Sequence, residues 1–108
     1  MVSKKELLLE RFDLARRQNA DLISEISEYA EIHQAFDTPF MKGYTFASGI
    51  KVLQEERDLV FNNTNRQAIL DADDTASELD FLIQKIEAQI VHYGEIKMGL
   101  NVFFKSIN

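Results

Sequence analysis

Residues Asp37–Ile50 read DTPFMKGYTFASGI. They hold the only proline, Pro39, and two of the four glycines, Gly43 and Gly49. The reading of this stretch decides whether the chain folds back there on an elbow between helices or carries a linker or a phosphate-binding loop. The residue before a proline avoids helical backbone, so a helix arriving from the N-terminal side stops by about residue 37. Asp37 or Thr38 suits an N-cap, and Pro39 suits a first helical turn. Gly43 and Gly49 weaken the helix that follows. The stretch is therefore an elbow, with an early turn of helix and a looser second one. A phosphate-binding loop would need its glycines packed between a strand and a helix, with Lys-Ser or Lys-Thr after them, and no strand pattern is visible.

On the N-terminal side of the elbow, Ser3-Lys-Lys-Glu6 has the form of a capping box. Leu8, Phe12, Ala15, Asn19, Leu22, Ile26, Tyr29, His33 and Phe36 then recur at steps of four and three. This is a heptad seam, and it predicts a helix over residues 4–36. On the C-terminal side, Thr75-Ala-Ser-Glu78 is a second capping box, preceded by Asp73 and Asp74. Leu79, Ile83, Ile86, Ile90, Tyr93, Lys97, Leu100, Phe104 and Ile107 form a second seam, broken only by the lysine, and predict a helix over 75–107.

The middle segment, 39–71, is less regular. Phe46, Ile50, Leu53, Arg57 and Val60 make one seam, which slips by a residue through Phe61 and Asn65 to Ala68 and Ile69. Such a stutter unwinds a supercoil locally. It falls on Asn62-Asn-Thr-Asn65, where asparagine lowers helix propensity. A kink or short break is expected there, with Thr64-Asn-Arg-Gln67 as the cap of a restart. Irregularity is also expected over 43–49. Two elbows, at 37–39 and 71–74, divide the chain into three pieces of similar length. The expected fold class is all-α: a single helical domain, 1–108, built as a three-helix up-down-up bundle of long antiparallel helices. The alternative is an extended helical hairpin in which the middle and last segments run on as one helix.

Composition limits the functional classes. A chain of 108 residues, 45% hydrophobic and 28% charged, has the balance of a folded domain rather than a disordered one. It has no cysteine, which excludes disulfides, thiolate metal sites and cysteine nucleophiles. No apolar run approaches the ~18 residues of a membrane span. The opening Met1–Phe12 meets a charge directly after three leucines, unlike a secretory signal. Cytoplasmic synthesis is expected, with export lacking a cleaved signal left open. Net charge is −6, and no third of the chain is basic. The most basic stripe, Lys4, Lys5, Arg11, Arg16 and Arg17, is interleaved with Glu6, Glu10 and Asp13 as on a solvated helix face. No nucleic-acid partner is expected.

Chemistry-bearing patterns are sparse. A bundle di-iron site uses Glu-x-x-His on one face, but Ala30 lies three residues before His33, and Gln89 three before His92. Asp71-Ala-Asp-Asp74 with Glu78 and Asp80 lacks the fixed alternation of a calcium loop. No serine has a histidine at a suggestive spacing. No catalytic, cofactor or metal residue is assigned, and the protein is read as a non-enzyme without a cofactor. Asn19, at a seam position, either fixes register from a buried site or lies exposed on a frayed seam. The candidate functional residues are those of the seams, as core or interface: Phe12, Leu22, Ile26, Tyr29, Phe36, Phe46, Ile83, Ile86, Ile90, Tyr93, Leu100 and Phe104. Leu7, Leu9, Leu14, Ile23, Ile32, Phe81, Val91 and Val102 flank them, and some are expected to stay exposed for a partner. Aromatic residues at the first elbow (Phe36, Phe40, Tyr44 and Phe46) and at Phe103-Phe104 either close one end of the core or form an anchoring patch.

An acidic, cysteine-free chain of this length with long amphipathic helices resembles the small helical proteins of Gram-positive type VII secretion. These are the WXG-type proteins and the helical partners of LXG toxins. Phe46-Ala-Ser-Gly49 stands where that family has Trp-x-Gly at its elbow. Tyr93-Gly-Glu-Ile-Lys97 stands in place of the Tyr-x-x-x-Asp/Glu export signal, ending in lysine where the signal has an acid. The resemblance implies a helical hairpin that pairs with another, here a partner and targeting factor for an LXG domain. Two other readings remain: a phage- or mobile-element-encoded helical inhibitor or regulator of a host protein, and a homo-oligomeric coiled-coil structural protein. The partner is therefore another helical protein or a second copy of this chain.

Overall fold

The computed structural model describes residues 3–73, 75 and 77–106; of Met41, Phe104 and Ser106 it describes the backbone alone. The chain is all-α apart from one small hairpin. Its elements are α1 (Lys4–Ile32), β1 (Pro39–Met41), β2 (Tyr44–Thr45), α2 (Phe46–Val60), α3 (Asn63–Asp71) and α4 (Ser77–Ser106). Cross-contacts fix their directions. Lys4 pairs with Asp80 and Arg11 with Glu87, the same offset of 76 residues, so α1 and α4 run parallel. Asp13 meets Arg66 and Tyr29 meets Phe46, so α2 and α3 together descend antiparallel to α1. Three layers in up-down-up order result, with extents of 48 × 24 × 21 Å. The continuous middle-to-last helix of the hairpin alternative is ruled out by the break between Asp71 and Ser77.

α1 starts as expected. The Ser3 hydroxyl accepts from the amide of Glu6. It ends four residues earlier than the seam predicts, at Ile32 rather than 36. Gln34 takes a left-handed φ of 51°. The amide of Ala35 then reaches back to the carbonyl of Ala30 at 2.8 Å, and that of Gln34 to Glu31 at 3.3 Å. This is the two-bond Schellman termination, usually built on glycine. Ala35 and Ala30 are both buried, which supplies the apolar contact that accompanies it. Phe36 consequently leaves the seam and is 42% exposed, and His33 becomes the exposed C-cap.

The elbow is the main correction. Pro39 does not open a helical turn: it starts a two-residue-loop β-hairpin, with Met41 opposite Tyr44 and Pro39 opposite Thr45. Gly43, in the loop, has φ +86°, which a side chain would oppose. Proline suits the first position of an edge strand because its missing N–H is not needed there. Thr45, not Asp37 or Thr38, is the N-cap of α2, in a reciprocal box with Ser48. The carbonyls of Thr38 and Phe36 accept the amides of Phe46 and Ala47, so the loop satisfies two donors that a helix start leaves free. At the predicted stutter the helix does break. Asn62, rather than Thr64, caps α3 by accepting from the amide of Asn65 at 2.7 Å. The side-chain amides of Asn62 and Asn65 bond carbonyls 58, 59 and 60, which close α2. The predicted Thr75–Glu78 cap lies partly outside the described residues, and α4 begins at Ser77.

The interior has two centres. One gathers Leu8, Phe12 and Ala15 with Val60, Phe61, Ile69, Leu79, Leu82 and Ile86. The other gathers Leu22, Ile23, Ile26, Ala30 and Ala35 with Phe46, Ile50, Leu53 and Leu100. Between them along α1 stands Asn19, buried at 6% exposure. Its side-chain amide donates to the carbonyl of Ala15, four residues back in its own helix, at 2.8 Å. Asn19 is thus satisfied without a cross-helix bond. At a similar height, His92 on α4 stands 3.1 Å from a carboxylate oxygen of Glu56 on α2.

Candidate docking face

Most of the predicted seam residues face inward. Phe12, Leu22, Ile26, Phe46, Ile86 and Leu100 are buried. Tyr29, Ile83, Ile90 and Tyr93 are partly buried and pack on the two centres. Phe36 lies outside, for the reason given above, and the side chain of Phe104 falls outside the described residues. The six buried residues hold the bundle together. The elbow aromatics divide. Phe40 and Phe46 stack at 4.7 Å, and Tyr29 and Phe103 each lie within 6 Å of Phe46, closing the end of the bundle. Tyr44, 43% exposed, stays outside this cluster. Beside it lies an open cleft of about 250 Å³ lined by Phe40, His92, Glu95, Ile96, Gly99, Leu100 and Phe103. It is shallow and mostly apolar. Among the described residues no three His, Cys, Asp or Glu side chains stand together as a metal site. No helix among them is long and apolar enough to cross a membrane.

A second seam lies on α4, opposite the first. Phe81, Ala88, Val91, Met98 and Val102 recur with helical spacing, and Gln84 and Glu95 complete the alternation of three and four. All seven are exposed, Phe81 to 63%, Val91 to 60%, Met98 to 70% and Val102 to 65%. Lys85 holds its ammonium 5.5 Å from the centre of the Phe81 ring. The α1 edge adds Leu7 and Leu14, half exposed. Each follows by three residues a cation bonded to α4, Lys4 to Asp80 and Arg11 to Glu87, so both leucines sit on the rim that faces α4. The flanking residues Leu7, Leu14, Ile32, Phe81, Val91 and Val102 are exposed, whereas Ile23 is buried and Leu9 partly so. Met98 and Ala88 belong to the same exposed seam, outside the flanking residues that the main seam marks. The signal for them was the second three-four pattern, half a turn away from the stronger one.

On the α3 side, Arg66 grips Asp13 with two bonds of 2.9 and 3.0 Å. That hydrogen-bonded guanidinium holds the Asp13 carboxyl below its ordinary pKa, against a smaller opposing effect of burial. The pair fastens α3 to α1 away from the exposed seam. The chain matches no protein-family model, no curated protein and no solved structure.

Proposed function

We propose that the protein is a non-enzymatic protein-binding module that presents the outer face of α4 to a helical partner. One observation carries this: α4 bears apolar side chains on two opposite faces, and only one of them is covered by the bundle. A helix that is apolar all round is ordinarily buried all round, and large apolar side chains exposed along one helix face, here with Gln84 and Glu95 among them, mark an interaction surface. The three-four spacing suits a helix as the occupant, since such a strip packs knobs into the holes of another helix. The finer reading, a partner that accompanies the LXG domain of a type VII toxin, is supported by size, acidity and helical architecture. The test is co-expression with an LXG domain, comparing the native chain with Val91→Lys and Met98→Lys. Co-elution of the native chain and its loss in both variants, with unchanged circular dichroism, supports the finer reading. Co-elution that survives both substitutions removes the α4 face from the interaction.

A further inference from the structure

We infer that a second copy of this chain seats on the exposed seam, with the two α4 helices antiparallel. The inference rests on the reading of that face as a docking surface and names a second copy as its occupant in the isolated chain, which an LXG helix would have to displace. The argument is one of register. An antiparallel pair of helices about a two-fold axis matches residue i with a partner residue j of constant i + j. The exposed positions are apolar at 81, 88, 91, 98 and 102, and polar at 84 and 95. When Ala88 is set against the partner's Val91, Phe81 falls against the partner's Met98 and Gln84 against the partner's Glu95. Every apolar position from 81 to 98 then meets an apolar one. The two polar positions meet each other as a neutral amide and a carboxylate, which can hydrogen-bond. A one-heptad shift in either direction loses this match. Moving it one way sets Val91 against the partner's Glu95. Moving it the other way sets Gln84 against the partner's Ala88. A parallel pair would set Glu95 against the partner's Glu95, two like charges at the centre of the seam, which is destabilising.

The flanks agree with the antiparallel pairing. On the α1 side the acids Asp80 and Glu87 already hold Lys4 and Arg11, so they bring little unpaired negative charge to the contact. Gly94 stands where Glu87 approaches from the other copy, and a side chain there would meet nothing of this chain within 4 Å. The strip from Phe81 to Val102 is about 33 Å long and projects to ~350 Å² at a helix width of ~11 Å, and the Leu7 and Leu14 rim adds to it. Standard stable interfaces bury ~800 Å² per partner, so the pairing is reversible and concentration-dependent.

The chain has no cysteine of its own, which makes register directly measurable. Gln84→Cys and Glu95→Cys are single exposed substitutions. Oxidised together in equal amounts, they should form a mixed disulfide dimer, while each alone forms little. Sedimentation of the native chain from micromolar to millimolar concentration should show a monomer–dimer equilibrium. Val91→Lys should raise its dissociation constant at least tenfold, whereas Ile32→Lys, equally exposed but beyond the strip, should leave it unchanged. Circular dichroism confirms that each variant is folded. Self-linking of each cysteine variant by itself, or a native chain that is monomeric throughout, overturns the inference. A monomer whose Val91→Lys variant still loses an LXG partner overturns only self-pairing. A monomer indifferent to Val91→Lys in both assays removes the docking reading as well.

Discussion

At the α1–α3 junction one carboxyl, that of Asp13, contributes to the acid sensitivity expected of this protein. Asp13 is held ionised by a bidentate guanidinium from Arg66, and its pKa is lowered from the model-peptide value of 3.8. A carboxyl whose folded pKa is depressed adds stability at pH above its unfolded value. That stability is lost as pH falls through the folded one. Denaturant midpoints measured from pH 7 to pH 2 should therefore drop below about pH 4, the unfolded value. Arg66→Met should remove the part of that drop due to Asp13 and lower the midpoint at neutral pH. An identical profile for the variant would show that the pair does not contribute. Nothing in the one-dimensional pattern joins Asp13 to Arg66: they are 53 residues apart, and only the break before α3 turns the arginine toward α1. Gln34 is similar. Its left-handed backbone ends α1 early, yet glutamine carries no such signal, and the seam beyond it, His33 and Phe36, argues for continuation.

At the scale of elements, the two long helices were legible because each has a capping signal or long apolar periodicity of a single kind. The broken middle was legible only as irregularity. Asparagine's low helix propensity marked the break, but the side chains do more than weaken the helix. Asn62 and Asn65 accept and donate at once, closing α2 and opening α3. Asn62→Ala should cost about 0.5–2 kcal/mol, the range of a lost N-cap, and the shift in urea midpoint at constant slope measures it. Thr64→Ala, at the position that the pattern favours as cap, should cost much less. The reverse order would restore Thr64 as the cap. The hairpin was missed for a different reason. Pro39 and two glycines read equally well as a helix start with a loose turn. Lys42-Gly43 is not one of the dipeptides that announce a two-residue hairpin turn, and its strands are only three and two residues long.

For the whole molecule, the test of which α4 face is core is a pair of charges. Ile86 is 1% exposed within the first interior centre. Ile86→Asp would bury an unpaired carboxylate at a cost of several kcal/mol, a large share of the ~5–15 kcal/mol that holds a small domain. Lys97 is exposed, with its ammonium 5.9 Å from the Tyr93 ring centre. Lys97→Glu replaces one solvated charge by another and should shift the melting temperature only slightly. Thermal melts followed by circular dichroism check both, and shifts of equal size would mean that the inner seam does not face a core.

Periodicity alone sufficed for the all-α class, the presence of an apolar seam on each of α1 and α4 and the three-part division, because apolar spacing records a stripe of a helix that can avoid water. The candidate site did not follow from it. A single helix with two apolar stripes does not reveal which one its neighbours cover. That was decided by packing: Leu79, Leu82 and Ile86 of α4 are buried with Leu8, Phe12 and Ala15 of α1, and the exposed pairs Lys4–Asp80 and Arg11–Glu87 mark the parallel alignment. Phe81, Val91, Met98 and Val102 were left facing water. The end of α1 and the hairpin escaped the pattern because local preference there is weak and the competing backbone choices differ by only about 1 kcal/mol, and the Asp13–Arg66 clasp escaped it because its partners lie 53 residues apart.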